Sequence, residues 1–318
     1  MYKDAHVLVA GGGGFVGANL VQRLLSLDAR VTATLHESAP VIKDDRVRYV
    51  RCDLTMPGDC RSVVQGMDFV FMCAANTSGA ALMEQDPLAL FTPNLLMNSL
   101  MLQAAYEAHV KNVLFISSST VYPVTDRAVK ENEAGFEFFD KYFVEAWMKR
   151  FSEIMCEIYA TRIRQPMRIT LVRPANLYGE YDNFDSESSH VIPALIRKVV
   201  ERHSPIEVWG DGSDVKEFLY IQDFIDGMLL AMRNLTWFEP INIAAGNPCS
   251  INDLLNTILD VDGYRDAKIV YNKSKPMMIP KRMMDTSKAK AQIQFEAKVS
   301  LKEGIRRTLA WYRHNNQV

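Results

Sequence analysis

The sequence has few cysteines, no long apolar run and no excess of charge of either sign. Its five cysteines are an odd number and none forms a Cys-x-x-Cys pair, so neither a disulfide framework nor a structural zinc site is expected. No apolar run approaches the roughly 20 residues that span a bilayer, and the N-terminal segment lacks the long apolar region of a signal peptide. These absences predict a cytoplasmic protein with reduced thiols, no membrane segment and no bound metal.

The charge balance excludes a further class of partner. The chain has 36 basic and 38 acidic residues, which leave a formal net charge of -2. Such a chain has no general basic field for nucleic acid, although a local basic pocket for a phosphate is still allowed. With 318 residues, of which 48% are hydrophobic, it has enough apolar material for one large core or two smaller ones.

Short apolar runs alternate with longer helical patterns over about the first 175 residues. Runs such as His6–Ala10 and Phe69–Ala74 show no alternation of apolar and polar residues, which is typical of strands buried on both faces. The helical patterns between such runs include Leu95–His109 and Phe143–Thr161. This arrangement predicts an α/β fold with a Rossmann-type, doubly wound parallel sheet.

The pattern becomes less regular after Leu177, which predicts a smaller α/β substrate domain in the C-terminal part. We expect the dinucleotide-binding domain to comprise residues 1–176 and about 218–246. The substrate-binding domain would then comprise about 177–217 and 247–318, with the chain crossing back once.

Glycines follow the first predicted strand at a regular spacing. Gly11, Gly14 and Gly17 form a GxxGxxG pattern, with Phe15 and Val16 between the last two, directly before a helical segment. Glycine is needed where the backbone turns sharply and where a pyrophosphate approaches it closely, and the helix start offers free N–H groups. The pattern predicts dinucleotide binding; a purely structural turn is the alternative.

The end of the second predicted strand bears on which dinucleotide is bound. An acidic residue there would bind the ribose 2′-hydroxyl of NAD, but the strand ends in Leu35, followed by His36. A cation or donor at position 36 suits a 2′-phosphate, so NADP is favoured over NAD; His36 as a solvated loop residue is the alternative. Residues after the third and fourth strands are expected near the adenine or beneath the cofactor: Asp53, Leu54, Ala74 and Ala75.

Further motifs fall in a recognisable order along the chain. They are Asn94, Ser117–Pro123, Lys149, Arg173–Gly179 and Trp209–Asp223. From about residue 5 to 312 the chain resembles the extended short-chain dehydrogenases, the NAD-dependent epimerase/dehydratase group. Its segment Asp182–Arg197 is most similar to the GDP-fucose synthases of that group. The resemblance implies a nucleotide-diphosphate sugar substrate, C4 hydride or 4-keto chemistry, and a homodimer formed through the helices Leu95–His109 and Phe143–Thr161.

The resemblance also assigns roles near the sugar. Ser118 would polarise the C4 oxygen, the alternative being a serine that caps a strand end. Ser119 and Thr120 stand where dehydratases of the family carry Asp-Glu, which disfavours dehydration and favours an epimerase or reductase. His190 would act as acid/base at C3 and C5, with substrate contact or a structural hydrogen bond as alternatives. The family's cysteine partner matches Thr120, which cannot fill that role well, so the double epimerisation lacks support.

Other site residues follow only from the resemblance. Those implied near the cofactor are Asn94, Lys149 and Pro174. Those expected near the substrate are Ser119, Thr120, Asn176, Val191, Lys198, Trp209, Lys216 and Arg282. For each of the three cations, a plain surface charge is the alternative.

One position departs from the family pattern. The family carries Tyr-x-x-x-Lys on one helix; Lys149 is present, but position 145 is Glu. Next to Lys149 we expect Glu145 to be held ionised, unless burial raises its pKa enough for it to act as an acid. Four interpretations stay open: a variant acid/base, as in a 4-epimerase or dehydratase; a substitution that leaves a catalytically disabled cofactor-binding homologue; a hydroxyl supplied by Tyr142; and a shifted alignment of this helix.

Overall fold

A computed structural model describes residues 1–76, 86–186, 188–275 and 279–316. Its main sheet has seven strands in the order β11-β6-β5-β4-β1-β2-β3, and every neighbouring pair is parallel. The strands are β1 His6–Ala10, β2 Arg30–Leu35, β3 Val47–Arg51, β4 Phe69–Met72, β5 Asn112–Ile116, β6 Ile169–Pro174 and β11 Pro240–Ile243. The predicted Rossmann-type α/β fold is confirmed.

Helices cover both faces of this sheet. In β1, Val7 and Val9 belong to one buried apolar cluster, while Leu8 and Ala10 belong to another. Successive side chains of a strand point to opposite faces, so a strand covered on both sides is apolar throughout. The helices are α1 Phe15–Leu25, α2 Pro57–Val63, α3 Pro87–Glu107, α4 Phe143–Glu157, α5 Val191–Val200, α6 Ile221–Asn234, α7 Ile251–Asp262, α8 Ser287–Ile293 and α9 Leu301–Asn316.

Helix α3 begins eight residues before the predicted Leu95. Asp86 caps it by accepting a hydrogen bond from the backbone N of Ala89 at 3.2 Å, and Pro87 occupies its first turn, where proline is tolerated. Pro93 lies inside the helix, although such a residue ordinarily indicates a helix boundary. The predicted start was wrong because the packed helix accommodates this proline.

Short strands outside the main sheet form three small sheets, most of whose strands lie in the segments expected to bind substrate. They are β7 Asn176–Tyr178 with β10 Phe218–Tyr220, β8 Ile206–Trp209 with β13 Ile269–Asn272, and β9 Val215–Lys216 between β12 Cys249–Ser250 and β14 Lys281–Arg282. The chain leaves the main sheet after β6 and returns to it at β11. The exact division into two domains stays a prediction.

All five cysteines are free thiols. In the ranges that the structure describes, no three or more His, Cys, Asp or Glu residues are grouped so as to hold a metal ion. Over the same ranges, no helix combines the length and the apolar character required to cross a membrane.

Candidate functional site

The glycine loop connects β1 to α1, and of the three glycines in the GxxGxxG pattern only Gly14 has room for a side chain. Gly11 has φ +85°, and a Cβ there would lie 2.6 Å from the backbone of Ala74. A Cβ at Gly17 would lie 2.1 Å from the carbonyl oxygen of Gly11. Gly14 is exposed, and a Cβ there would meet only the Gly11 oxygen, at 3.6 Å. The loop therefore leaves open space above Gly14, next to the N-terminus of α1, where a pyrophosphate fits.

The ends of β2 and β3 lie side by side at the same edge of the sheet. Leu35 is buried, so it offers no polar group there, whereas His36 is exposed. The Arg51 guanidinium, at the end of β3, donates from Nη1 to the carbonyl oxygens of His36 at 3.0 Å and Glu37 at 3.2 Å. The sequence alone did not indicate Arg51, because its place beside His36 depends on how β2 pairs with β3.

The other residues predicted near the adenine differ in exposure. The Asp53 carboxylate accepts bonds from the backbone N and Oγ1 of Thr55 at 2.8 and 2.7 Å, and these bonds lower its pKa. Leu54 is buried in the second apolar cluster, so its side chain packs in the core. Ala74 lies directly against Gly11, and Ala75 is exposed beside it.

Asn94 is a buried side chain that holds the chain after β4. Its Oδ1 accepts a bond from the backbone N of Asn76 at 2.9 Å, and its Nδ2 donates to the carbonyl of the same residue at 2.9 Å. Asn94 thus fixes the backbone of Asn76, directly after Ala74 and Ala75. Pro174 ends β6, paired with Ile243 of β11.

Ser118, Glu145 and Lys149 come together at the carboxyl end of β5. Ser118 is the second residue after β5, and its Oγ donates to Glu145 Oε1 at 3.2 Å. The same Oγ accepts a bond from the backbone N of Thr120 at 3.2 Å, so Ser118 also caps a short turn. Lys149 lies one helical turn after Glu145 on α4, and its Nζ donates to the carbonyl oxygen of Ile116 at 3.0 Å. The structure therefore places Glu145 against the serine expected to meet the sugar oxygen.

Burial governs the charge of the Glu145–Lys149 pair. It raises the pKa of the Glu145 carboxyl, and the opposing effects of the Lys149 charge and the Ser118 bond are smaller. Burial likewise lowers the pKa of the Lys149 ammonium, against the attraction of Glu145 and Glu153. We expected Lys149 to hold Glu145 ionised; instead the loss of hydration outweighs that attraction. The carboxyl is thereby moved towards the protonated form that can donate a proton.

A buried ionic network lies beneath this group. Glu153 accepts from Arg173 Nε at 2.7 Å and Nη2 at 2.8 Å, and from Ser117 Oγ at 2.5 Å. Arg173 Nη1 also donates to the Tyr122 hydroxyl at 2.9 Å. Glu153 on α4 thus binds both Ser117, directly after β5, and Arg173 on β6, so the network fixes these three elements relative to one another. It also supports the site, because Ser117 precedes Ser118 and Glu153 lies one turn after Lys149.

Tyr142 is the N-cap of α4 and the last residue of a short 3₁₀ turn, Asp140–Tyr142. Burial is the largest cause of its raised pKa, and the charges of Glu145, Arg282 and Asp214 also act on it.

The basic residues of the C-terminal part are engaged by the protein itself. Arg282 is buried and donates from Nη1 to the Pro123 carbonyl at 2.9 Å and from Nη2 to the Tyr122 carbonyl at 3.2 Å. Its buried Nε has no partner among the described residues. Lys216 forms an ion pair with Asp214 at 3.3 Å, and Lys198 Nζ donates to the carbonyl of Glu207 at 2.8 Å. The polar contact of Lys198 is thus to β8, away from the group formed by Ser118, Glu145 and Lys149.

Three other residues predicted near the substrate differ in exposure: His190 and Trp209 are exposed, whereas Thr120 is buried. His190 is the N-cap of α5 and is exposed to solvent; partial loss of hydration next to the protein lowers the pKa of its imidazole. Trp209 is 49% exposed, with Lys275 Nζ 5.3 Å from its ring centroid. Thr120 is buried, and its Oγ1 has no partner among the described residues.

The remaining three residues predicted near the substrate are Asn176, Ser119 and Val191, and all three are at least partly accessible to solvent. Asn176 Nδ2 donates to the carbonyl of Glu217 at 2.9 Å. Because Glu217 directly precedes β10, this bond ties β7 to its partner strand. Ser119 is half-buried in the turn after β5, and Val191 is exposed at the first residue of α5.

Comparisons with known proteins agree with this geometry. The model of the NAD dependent epimerase/dehydratase family matches residues 7–244. The chain is 30% identical over 323 residues to a putative GDP-L-fucose synthase 2 of Arabidopsis thaliana, covering 98% of this chain and 93% of that protein. It is 29% identical over 318 residues to a dTDP-4-dehydro-6-deoxy-D-allose reductase of a Streptomyces species, covering 96% of each.

A solved structure shows the same fold. The UDP-glucose 4-epimerase of Thermotoga maritima superimposes with a TM-score of 0.89 at 23% identity, covering 98% of this chain and 99% of that one. Together with the glycine loop and the serine beside α4, these matches show that the chain belongs to the NAD dependent epimerase/dehydratase family.

Proposed function

We propose that the chain is an NAD(P)-dependent epimerase/reductase of nucleotide sugars, with a GDP-linked 4-keto-6-deoxy sugar as its favoured substrate. The observation that carries this is the 3.2 Å bond between Ser118 Oγ and Glu145 Oε1 at the end of β5. The glycine loop lies at the end of β1 in the same parallel sheet. In such sheets, ligands bind outside the carboxyl ends of the strands, so both groups serve one cleft.

The residues present fit a nicotinamide dinucleotide. Gly11 and Gly17 have no room for a side chain, while Gly14 faces open space at the start of α1. We assign the pyrophosphate to this loop and the nicotinamide ribose to Lys149. When bound, the cofactor supplies or accepts a hydride at the sugar C4.

Glu145 takes the part of the proton carrier. In the reduction of a 4-keto sugar, the protonated carboxyl gives its proton to the C4 oxygen as that oxygen gains negative charge. The Ser118 hydroxyl, which has one proton, turns from Glu145 Oε1 when the substrate binds and donates its hydrogen bond to the same oxygen. Lys149, one turn away, then stabilises the carboxylate that remains.

Reduction is favoured over double epimerisation. Inverting a carbon next to the ketone needs a base on one face of the ring and an acid on the other. The lowered pKa of His190 leaves a neutral imidazole that can accept a proton. The Thr120 side chain, however, is buried, and its hydroxyl is a poor acid. The Streptomyces relative is likewise named as a reductase.

The substrate side supports a nucleotide diphosphate. Trp209 offers an exposed ring for stacking, and the buried Arg282 places positive charge near Tyr142. GDP is favoured over UDP or dTDP because relatives such as the Arabidopsis protein are named as GDP-L-fucose synthases.

A homodimer through α3 and α4, with the π-helical turn Ile158–Arg162 that continues α4, completes the proposal. Exposed apolar side chains project from these elements: Leu96, Phe151 and Ile158. Sedimentation should give twice the chain mass, and Phe151→Glu should shift the equilibrium to the monomer; a wild-type monomer at high concentration would contradict the assignment.

A second candidate function is a cofactor-binding homologue without turnover, and Glu145 is the observation that favours it. Replacing Glu145 by Tyr separates the two. A gain of activity would indicate a disabled enzyme, whereas a loss would indicate chemistry that uses the carboxyl.

The proposed function is tested by mixing the protein and NADPH or NADH with GDP-4-keto-6-deoxymannose. We expect the near-ultraviolet absorbance of the reduced nicotinamide to fall and NMR to show a 4-hydroxy product. Tight cofactor binding with no absorbance change for GDP-, UDP- or dTDP-linked 4-keto sugars would favour the non-catalytic candidate.

A further inference from the structure

We propose that Arg51 recognises the 2′-phosphate of the cofactor and so selects NADP over NAD. This inference rests on the proposed function, in that a nicotinamide dinucleotide must occupy the glycine loop. It concerns a residue in none of the motifs of the family pattern given above, and it follows from how β2 and β3 pair.

The register of the two strands brings Arg51 to the end of β2. Arg51 pairs with Leu35 in the parallel ladder, and the next residue, Cys52, donates from its backbone N to the Leu35 carbonyl at 3.0 Å. Leu35 is the position at which an NAD-binding protein would carry its ribose-binding acid. The Leu35 side chain is buried and apolar, so it cannot hold the ribose hydroxyls.

The glycine loop touches the segment that follows Leu35. A Cβ added at Gly13 would lie 2.9 Å from Leu35 Cδ2 and 2.8 Å from Ser38 Oγ. A pyrophosphate on the loop therefore brings the adenosine ribose to residues 35–38. This is the segment whose carbonyl groups Arg51 binds.

The contacts of Arg51 fix its guanidinium without using all of its donors. Nη1 donates to the carbonyls of His36 and Glu37, at 3.0 and 3.2 Å. A guanidinium has five N–H donors in a planar fork, so Nε and Nη2 still have donors for phosphate oxygens. No ion pair joins Arg51 to a carboxylate within the described ranges. His36 and Ser38, both exposed, add further donors at the same turn.

Glu37 provides the rival interpretation. Its exposed carboxylate lies two residues after the strand and would accept bonds from the ribose hydroxyls of NAD. If Glu37 determined the preference, NADH would bind more tightly than NADPH, and Arg51 would have little effect on either.

The test compares Arg51→Gln with Arg48→Gln. Arg48 is an exposed arginine three residues earlier on the same strand, about 10 Å away, so its replacement makes the same charge change outside the proposed contact. Dissociation constants for NADPH and NADH are measured by fluorescence titration of each purified variant, with no sugar substrate present.

We expect the wild type and Arg48→Gln to bind NADPH more tightly than NADH. Arg51→Gln should weaken NADPH binding about 10- to 100-fold, the loss expected for one or two bonds to a charged group, and leave NADH nearly unchanged. Equal effects on both dinucleotides, or no effect, would overturn the role of Arg51 while leaving the proposed function intact. A wild type that binds neither dinucleotide would overturn both.

Discussion

Replacing Glu145 by Gln tests the proton-carrying role most sharply. The amide has nearly the same shape as the carboxyl and keeps an oxygen that can accept the bond from Ser118, which is 3.2 Å long in the wild type. It cannot give up a proton. General acid catalysis contributes about 10²- to 10⁴-fold, so turnover of the 4-keto sugar should fall by about that factor. The dissociation constant of NADPH should change little, because the glycine loop and Lys149 are intact.

The pH dependence supplies a second readout of the same change. Burial raises the pKa of Glu145, and the donating form is the protonated one. In the reductive direction, wild-type kcat/KM should therefore be highest below this raised pKa and fall as the pH rises through it. The Gln variant should lack that decline.

Both assays use stopped-flow absorbance of the reduced nicotinamide, with Glu137→Gln as the control. Glu137 is an exposed acid in the segment before α4, so its replacement should leave the rate unchanged. A Glu145→Gln variant that keeps more than a tenth of the wild-type rate, with the same pH profile, would refute the assignment of the proton to Glu145.

Three further changes test the surroundings of the site. Gly14→Ala should fold normally, because its Cβ would meet only the Gly11 oxygen at 3.6 Å, but calorimetry should show weaker binding of NADPH and NADH alike; unchanged affinities would contradict the placement of the pyrophosphate. Arg173→Met should lower the free energy of unfolding by about 3–5 kcal/mol in urea titrations, because it removes the main partner of the buried Glu153 carboxylate; a loss below about 1 kcal/mol would contradict the network. Burial raises the pKa of Asp182 to about 7 from an ordinary 3.8, so on raising the pH the unfolded chain loses this proton at a lower pH than the folded protein does. The stability that Asp182 contributes is then full below 3.8 and is lost as the pH rises to about 7, and Asp182→Asn should remove that part of the pH dependence of unfolding.

The doubly wound sheet could be predicted because its signal is local. Strands covered on both faces are continuously apolar, as Val7–Ala10 are, and glycines at a close approach leave their own pattern. The order of the motifs likewise brought Ser118, Glu145 and Lys149 together correctly as neighbours.

What could not be predicted depends on contacts between distant segments. The raised pKa of Glu145 comes from burial by surrounding elements, whereas the sequence shows only the nearby Lys149. The role suggested for Arg51 depends on the register between β2 and β3, which no local pattern encodes. Lys216 looked like a free cation for the substrate, but it is paired with Asp214 once the chain folds.

The central claim is that a hydride moves between a nicotinamide and the sugar C4 in the cleft beside Ser118. Its most direct test is to incubate the protein with GDP-4-keto-6-deoxymannose and NADPH carrying deuterium at the transferable position of the nicotinamide, and to examine the sugar by NMR. We predict a product with deuterium at C4. Bound cofactor with no deuterium in the sugar, for this substrate and for its UDP- and dTDP-linked counterparts, would contradict the account.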